Sequence, residues 1–270
     1  MFQKLRKSKK LLLVAMACAT FAIAGCGSDT TKNAADNGNA VTWSETFDGT
    51  KTDFAVKSSP THAVSMSQAT TEMMLQLGLE DKMAGTAFKE EEIYPPLQAA
   101  YDKVKVLSDK WPSYEVFMSV KPDFATGWPD SFSKRAIPAD KMIAQKVNIW
   151  LPESMLSTKA DLETNFNDMI KLGEIFGVKS KAEEWVAGQR KTLAAIQDKL
   201  KDLPRKRVFI YDSEDGQPFT AFEGYTTNIL KLIGADNVMS GLGVDKTWAK
   251  GSWETVIAQN PDYIDRKSVV

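Results

Sequence analysis

An internal repeat of two sequence patterns, in the same order, constrains the fold of this chain most. Residues 70–78 read TTEMMLQLG, and residues 226–234, TTNILKLIG, align with them without a gap. In both copies apolar residues recur at helical spacing until a glycine, which predicts an amphipathic helix ended by a left-handed turn. A strand-like run precedes each helix, at residues 63–66 and 207–211. The repeat therefore predicts two copies of a strand–helix unit.

A second pattern follows the first in each copy. Residues 114–123 and 253–262 carry a glutamate near their start, Glu115 and Glu254, with a Pro-Asp pair seven and eight residues further on. Proline is disfavoured inside a helix, so a two-turn helix should end before this pair and a strand should begin after it. Two matches in one order indicate a duplicated α/β lobe.

A long helical segment lies between the two copies. Residues 159–176 have helical periodicity up to Gly177, and residues 179–203 continue as a charge-rich helix that Pro204 ends. We therefore predict an α/β protein with two Rossmann-like lobes, joined by a long α-helix and with a ligand cleft between them. The predicted boundaries are 51–158 for the N-terminal lobe, 159–204 for the helical connector and 205–270 for the C-terminal lobe.

The first 25 residues predict a lipoprotein signal peptide. Five basic residues precede an apolar run, residues 11–24, that is short for a membrane-spanning helix. The run ends with Ile-Ala-Gly before Cys26, a pattern typical of a bacterial lipobox in which the cysteine is diacylated. Two acyl chains would anchor the protein stably to the extracytoplasmic face of the membrane. The alternative is an ordinary secretory signal with an incidental cysteine.

The segment after the lipobox is predicted to be a flexible tether. Residues 27–40 are small and polar and cannot form a core, and the tether is assigned to residues 26–50. The whole chain has 34 basic and 35 acidic residues, and five of the basic ones belong to the leader. The mature part is therefore acidic, which argues against nucleic acid as a partner.

Cysteine and histidine are too scarce for most catalytic or metal sites. Cys18 lies in the leader, Cys26 would carry the lipid, and His62 is the only histidine. We interpret His62 as a hydrogen-bonded residue of a buried strand. Neither a cysteine nucleophile nor a multi-histidine zinc or manganese site can be built, and no G-x-S-x-G motif occurs. The sequence thus predicts no enzyme, no cofactor and no resident metal.

Taken together, the motifs resemble the helix-linked class of ABC-importer substrate-binding proteins, which carry ferric siderophores, haem or vitamin B12. The resemblance covers about residues 60–264. It rests on Thr71-Glu72, Tyr94-Pro95-Pro96, Glu115 with Pro122-Asp123, Pro218-Phe219-Thr220-Ala221, and Trp253-Glu254 with Pro261-Asp262. It implies a permease and its ATPase as partners, a metal chelate as transported ligand, and a monomer.

The resemblance also assigns roles to particular residues. In that family one glutamate on the rim of each lobe docks into arginines of the permease, and the matching positions are Glu115 and Glu254. A second explanation, compatible with the first, is that both acids are stabilised at helix N-termini. In the loop that holds Tyr94, haem-binding relatives place an axial tyrosine and B12-binding relatives an aromatic residue.

Loops that follow strands in both lobes are rich in aromatic residues and should line the cleft. The predicted ligand-binding residues are Tyr94, Trp111, Trp128, Arg135, Phe222, Tyr225 and Trp248, with Phe88 beside them. The rings would hold a flat, partly apolar chelate, and Arg135 would pair with an anionic group. Each ring could instead belong to the core, and Arg135 could be a solvated surface charge.

Several ligands remain open. We favour a ferric siderophore because iron carriers are the commonest branch of the family, with cobalamin or haem as the alternative. Few arginines occur in the cleft loops, which argues against a strongly anionic catecholate. A structural or adhesive lipoprotein is the remaining class. The resemblance also implies a further helical segment beyond Asp262, so we expect the C-terminal lobe to be truncated and to expose apolar surface.

Overall fold

The computed structural model describes residues 40–266 of the 270-residue chain. The predicted signal peptide, Cys26, most of the predicted tether and the last four residues lie outside the described residues. No helix between residues 40 and 266 combines the length and the apolar character needed to cross a bilayer.

Strands and short connecting helices alternate through most of the described chain. The strands are β1 (Val41–Phe47), β2 (Thr50–Val56), β3 (Ala63–Ser65), β4 (Met83–Ala87), β5 (Val106–Ser108), β6 (Phe124–Thr126), β7 (Asn148–Trp150), β8 (Lys206–Tyr211), β9 (Ser213–Glu214), β10 (Pro218–Ala221), β11 (Ala235–Asn237), β12 (Trp248–Lys250) and β13 (Tyr263–Arg266). The helices are α1 (Gln68–Gln76), α2 (Gln98–Tyr101), α3 (Tyr114–Ser119), α4 (Ala139–Ala144), α5 (Leu162–Ile175), α6 (Lys179–Leu200), α7 (Tyr225–Leu232) and α8 (Trp253–Gln259).

The N-terminal lobe is built on a parallel sheet of five strands in the order β5-β4-β3-β6-β7. The central strand β3 and its neighbour β6 are buried along their whole length because helices or the β1–β2 hairpin cover both faces. Phe124 lies at the centre of this core without solvent exposure and contacts Phe176 from the connector, edge to face at 5.1 Å. This arrangement explains why the strands read as continuous apolar runs rather than as alternating patterns.

The C-terminal lobe repeats the centre of that sheet. Its parallel strands have the order β11-β8-β13, which matches β4-β3-β6 in the first lobe. Helices α1 and α7 each lead to a glycine, Gly78 at φ +65° and Gly234 at φ +78°, in the left-handed region that glycine adopts without steric strain. The Asp123 carboxylate accepts from the backbone N–H of His62, directly before β3, and the Asp262 carboxylate accepts from the backbone N–H of Arg207, near the start of β8. The predicted two-lobed α/β fold and its repeat are confirmed.

The N-terminal lobe begins earlier than predicted. Residues 41–50 were assigned to the tether, yet β1 and β2 form an antiparallel hairpin across an Asp-Gly turn, with Phe47 paired to Thr50. The indole of Trp43 donates to the carbonyl of Ile149 at 2.7 Å. The tether assignment is therefore wrong from residue 41 onward, because alternating apolar residues on β1 and β2 pack this hairpin against β7.

The connector consists of two helices, in agreement with the two helical segments predicted on either side of Gly177. Helix α5 begins with a capping box between Asp161 and Thr164, and its buried side chains belong to the core of the N-terminal lobe. The 22-residue helix α6 packs against α5 where Gly173 faces Ala182, since a Cβ on Gly173 would lie 2.7 Å from the Ala182 Cβ. The predicted segment 159–204 contains both helices.

Candidate functional site: an aromatic cleft between the lobes

Strand ends from both lobes converge on one cleft. A cavity of about 770 Å³ lies where the loops after β4, β5 and β6 face β10, β12 and the end of β8. A smaller cavity of about 280 Å³ adjoins it and shares Trp128 and Trp248 with it. The carboxyl ends of parallel strands are where open α/β folds bind ligands. This cleft is therefore the candidate site.

Five aromatic side chains line the larger cavity, Phe88, Trp111, Trp128, Phe219 and Trp248. In the N-terminal lobe the rings of Phe88 and Trp111 stack at 4.7 Å between centroids and 20° between planes. In the C-terminal lobe Phe219 and Trp248 stack at 6.0 Å and the same angle. Each lobe thus presents one stacked pair to the cavity, a surface suited to a flat or partly apolar ligand.

Hydrogen bonds orient the two tryptophans of the N-terminal lobe. The indole of Trp111 donates to the carbonyl of Met66 at 3.1 Å, and the indole of Trp128 donates to the Glu90 carboxylate at 3.3 Å. The residue before Trp128 must be a glycine, because a Cβ on Gly127 would lie 2.8 Å from the Met66 Cβ. The Trp111 ring is therefore held by a backbone carbonyl and the Trp128 ring by the Glu90 side chain.

The backbone at Phe88 is held in an unfavourable conformation. Phe88 has φ +59°, in the left-handed region that non-glycine residues adopt uncommonly and at a steric cost. Its carbonyl accepts from the N–H of Gln68, and the Gln68 side-chain oxygen accepts from the N–H groups of Glu90 and Glu91. The start of α1 thereby shapes the whole loop that presents Phe88 to the cleft.

A buried hydroxyl network supports this part of the cleft. Ser65 and Thr71 bond at 2.8 Å, and Thr71 continues the chain to Thr86 at 2.6 Å. Thr70 bridges Ser65 and Ser67 at 2.7 and 2.8 Å. These side chains are at most 2% exposed, so their hydroxyl groups satisfy one another and hold the ends of β3 and β4 against α1.

The smaller cavity joins both lobes to the connector. Ser154 and Met155 line it beside Tyr225 of the C-terminal lobe. The Asp168 carboxylate on α5 accepts from the N–H groups of Glu153 and Ser154, both at 2.9 Å. Burial is the main cause that raises the pKa of Asp168, and burial also raises the pKa of Tyr225. Asp168 therefore sets the position of the chain segment that forms the floor of this cavity.

The charged groups of the cleft are mainly acidic. Arg135 forms an ion pair with Asp130, and both side chains line the larger cavity with Glu90 and Asp212. Glu223 lines the smaller cavity and accepts from the Ser240 hydroxyl and from the Gly241 N–H at 2.7 Å. The guanidinium that was predicted to meet an anionic ligand thus already has a carboxylate partner.

The structure places five of the seven predicted ligand-binding residues in the lining: Trp111, Trp128, Arg135, Tyr225 and Trp248. Tyr94 is 56% exposed and lines a neighbouring cavity of about 630 Å³ between α1 and the connector helices. The roles of these six residues in ligand binding stay predictions. The prediction that Phe222 lines the cleft was wrong: its side chain is 3% exposed and packs in the C-terminal core with Phe209 and Met239. Sequence reasoning missed Phe219, Asp212 and Glu223.

His62 also differs from its prediction. It is exposed and precedes β3, and its ring bonds to the Thr61 hydroxyl at 3.0 Å. In the described residues no group of three or more histidine, cysteine, aspartate or glutamate side chains is arranged to hold a metal ion.

Glu115 and Glu254 occupy equivalent places in the two lobes. Each is the second residue of its helix, is exposed, and follows a serine N-cap, Ser113 or Ser252. Hydrogen bonds lower the pKa of Glu115, first from its own backbone N–H and then from Ser113. The two glutamates are therefore presented as exposed acids by the same local structure, and their docking role stays a prediction.

Comparison with known proteins finds close relatives. The profile described as "Periplasmic binding protein" matches residues 64–266. A crystal structure of a periplasmic binding protein from Veillonella parvula DSM 2008 is 94% identical with a TM-score of 0.84, covering 86% of this chain and 78% of that one. The uncharacterized ABC transporter substrate-binding lipoprotein YvrC of Bacillus subtilis is 26% identical over 96% of this chain and 80% of its own. A vitamin B12-binding protein of Vibrio vulnificus is 24% identical over 73% of this chain and 68% of its own.

Proposed function

The chain belongs to the periplasmic binding protein family, and on that premise we propose that it captures a ferric siderophore outside the cytoplasm and delivers it to an ABC permease. The family consists of binding proteins, which confirms that the chain is not an enzyme. Membership implies an extracytoplasmic location, a small-molecule ligand, and a permease with its ATPase as partners.

The observation that carries the proposal is the cleft with a stacked aromatic pair on each side. A ligand between the lobes would contact both pairs at once and bury apolar surface against them. Because the described residues offer no cluster for a bare metal ion, the metal would arrive inside an organic chelate. No resident cofactor is expected.

The size of the cavity favours a siderophore over a corrinoid. Its volume of about 770 Å³ falls in the range of roughly 300–1,000 Å³ that holds drug-sized ligands. A ferric trihydroxamate is a drug-sized molecule, whereas a cobalamin has about twice its mass. A cobalamin would therefore also have to occupy the adjoining cavity of about 280 Å³.

Cobalamin is the second candidate because a relative of 24% identity is named a vitamin B12-binding protein. Haem has less support. Tyr94, the candidate axial ligand, lines the neighbouring cavity and not the one with the five rings.

The test is a tryptophan-fluorescence titration of residues 40–270 with a ferric trihydroxamate, haem and cyanocobalamin. Saturable quenching by the trihydroxamate supports the proposal, and quenching by cyanocobalamin or haem alone would replace it. Trp111→Phe and Trp248→Phe should weaken binding. Trp43→Phe is the matched control, since Trp43 lies in the hairpin against β7. A folded protein that binds none of the three ligands would contradict the proposed function.

Delivery is proposed to use Glu115 and Glu254. The double variant Glu115→Ala/Glu254→Ala should abolish cellular uptake and leave ligand affinity unchanged, because both side chains are exposed at helix starts. Glu163→Ala is a control that removes another exposed glutamate, from the connector. Unchanged uptake in the double variant would remove the docking assignment.

Membrane attachment is proposed to depend on lipidated Cys26, and the similarity to a protein named as a lipoprotein supports this. Cys26→Ser should move the protein from the membrane fraction to the soluble fraction of the cells or to the medium. We expect the released protein to be a monomer in sedimentation experiments.

A further inference from the structure

The charges that line the cleft differ from those expected for an anionic ligand. Four carboxylates line the two adjoining cavities, those of Glu90, Asp130, Asp212 and Glu223, against one guanidinium, that of Arg135. Arg135 is engaged with Asp130. From this lining we propose that the cleft selects a metal chelate that carries net positive charge, an inference that rests on the proposed function.

The carboxylates come from both sides of the cleft. Glu90 follows β4 in the N-terminal lobe, where its carboxylate accepts from the Trp128 indole. Asp212 follows β8 and Glu223 follows β10, both in the C-terminal lobe. A ligand held between the lobes is therefore flanked by negative charge on both sides. A cationic group on the ligand is attracted electrostatically whichever lobe it faces.

The aromatic rings favour the same sign of charge. The face of an aromatic ring is negative and attracts ammonium and guanidinium groups. One of the rings already does so within the protein, since the Lys110 ammonium lies 5.3 Å from the centroid of Phe88. Lys110 is one basic group that partly offsets the carboxylates, and Arg266, which lies over the ring of Tyr211 next to Asp212 in the chain, is another. The remaining ring faces in the cavity, including those of Trp128 and Trp248, would contribute to binding a cationic ligand.

An anionic ligand meets the opposite conditions. A tris-catecholate iron complex would approach four carboxylates and would have to separate Arg135 from Asp130 before it could use the guanidinium. Like charges brought together in a partly desolvated cleft disfavour binding and discriminate between ligands of similar shape. Charge, in addition to ring contact, should therefore decide which iron complexes bind.

The experiment compares ligands that differ in charge alone. Ferrioxamine B is a ferric trihydroxamate with a free ammonium group, and its N-acetyl derivative is the neutral analogue of nearly the same shape. The wild-type protein should bind the cationic complex roughly tenfold more tightly than the neutral one in low-salt buffer, with each exposed charge contributing a severalfold effect. The preference should shrink as salt is added, because salt screens exposed charges. A ferric tris-catecholate should bind most weakly.

Variants locate the source of the preference. Glu90→Gln/Asp212→Asn keeps the shape and one hydrogen-bonding oxygen of each side chain but removes the charge. This double variant should lose most of the preference for the cationic complex, measured as the ratio of its affinities for the cationic and the neutral complex. Asp215→Asn is the control, since Asp215 pairs with Lys250 on the surface outside the lining.

Each result has one meaning. Equal affinity for the two trihydroxamates, or tighter binding of the catecholate, overturns the charge inference and leaves the proposed function standing. A preference that persists unchanged in the folded double variant also overturns the inference. A folded wild-type protein that binds no iron complex overturns the inference together with the siderophore proposal.

Discussion

The two lobes share a repeat but differ in almost everything around it. In both, a central parallel strand is flanked by the strand after the first repeated helix and the strand after the Pro-Asp pair. The N-terminal lobe adds β5 and β7 to the two sides of this unit, whereas the C-terminal lobe adds an antiparallel sheet in the order β12-β10-β9. Both lobes place their cleft aromatics on these added parts and on the loops at the strand ends. The repeat therefore builds the scaffold, and the differences between the lobes build the site.

The elements packed on each sheet also decide how well each copy of the repeat is buried. Phe124 and Tyr263 are equivalent, since each directly follows the Pro-Asp pair and pairs with the central strand of its sheet, Phe124 with Ala63 and Tyr263 with Val208. Phe124 is fully buried because Phe176 of the connector and Trp43 of the β1–β2 hairpin pack against its ring, but Tyr263 is 58% exposed. In the described chain β13 is the outer strand of its sheet, and its neighbour Ile264 is 60% exposed. Equivalent positions in a repeat can thus contribute very different amounts to the free energy of unfolding.

The largest difference in stability is expected when Phe124 and Tyr263 are each replaced by alanine. Phe124→Ala removes a ring from a closed core and should lower the free energy of unfolding by about 3–5 kcal/mol. Tyr263→Ala should lower it by less than about 1 kcal/mol, because most of the ring is already in contact with water. Urea denaturation followed by circular dichroism measures both values.

Similar losses in the two variants would contradict the comparison and would mean that Tyr263 is covered in solution. Phe117→Ala serves as a reference for a buried ring, since Phe117 is also fully buried in the N-terminal lobe.

The sequence predicted the scaffold well because its signals are local. Helical spacing, Gly78 and Gly234 predicted α1 and α7, and the Pro-Asp pairs predicted the strands that follow α3 and α8. The β1–β2 hairpin also had a local signal, an Asp-Gly turn between two alternating segments. The polar residues before it led to a predicted tether that extends into the hairpin.

The site was predicted less completely because its decisive features are not local. Phe219 and Phe222 are three residues apart, so strand alternation puts them on opposite faces, but only the tertiary packing decides which face lines the cleft and which the core. The pairing of Arg135 with Asp130 depends on the turn between them. The acidic character of the cleft depends on loops from both lobes that are distant in sequence. Such features follow from the tertiary arrangement and not from periodicity.

The second prediction concerns the pH dependence of stability in the β1–β2 hairpin, which the C-terminal lobe lacks. Burial raises the pKa of Glu45 to about 7 from 4.5, although the N–H of Leu151 donates to its carboxylate. The folded state therefore binds a proton more strongly than the unfolded state does. The resulting stabilisation is fully present below about pH 4.5 and is lost as the pH rises through about 7. Its size is up to about 3 kcal/mol, because each tenfold difference in proton affinity between the two states corresponds to about 1.4 kcal/mol.

Thermal unfolding between pH 5 and pH 8 measures this loss. Glu45→Gln keeps an oxygen for the Leu151 N–H and removes the titrating group, so its melting temperature should fall less over this range than that of the wild type. Parallel pH profiles for the two proteins would contradict the assignment of the effect to Glu45. Hydrogen exchange should place the change in the hairpin and β7.

The smallest expected effect is the loss of a serine N-cap, a feature that the two lobes share. Ser113 and Ser252 cap α3 and α8 by accepting from the backbone N–H three residues further on, at 3.3 and 3.1 Å. Removal of a serine N-cap costs about 1 kcal/mol. Ser113→Ala and Ser252→Ala should therefore lower the local stability of their helices by similar amounts, which amide hydrogen exchange measures for each helix separately. Ser119→Ala, at the end of α3, removes a hydroxyl that bonds only to a carbonyl of its own helix and serves as the control.

A much larger response in α8 than in α3 would contradict the likeness of the two caps. Helix α3 packs Phe117 into a core covered on both sides, whereas α8 has one buried apolar side chain, Val256, and exposes Ile257. Equal responses would mean that the caps act locally. An excess in α8 would mean that a helix with little tertiary packing depends more on its cap, since packing supplies most of the stability of a short helix. The cap pair thus separates the contribution of the repeat from that of the structure built around it.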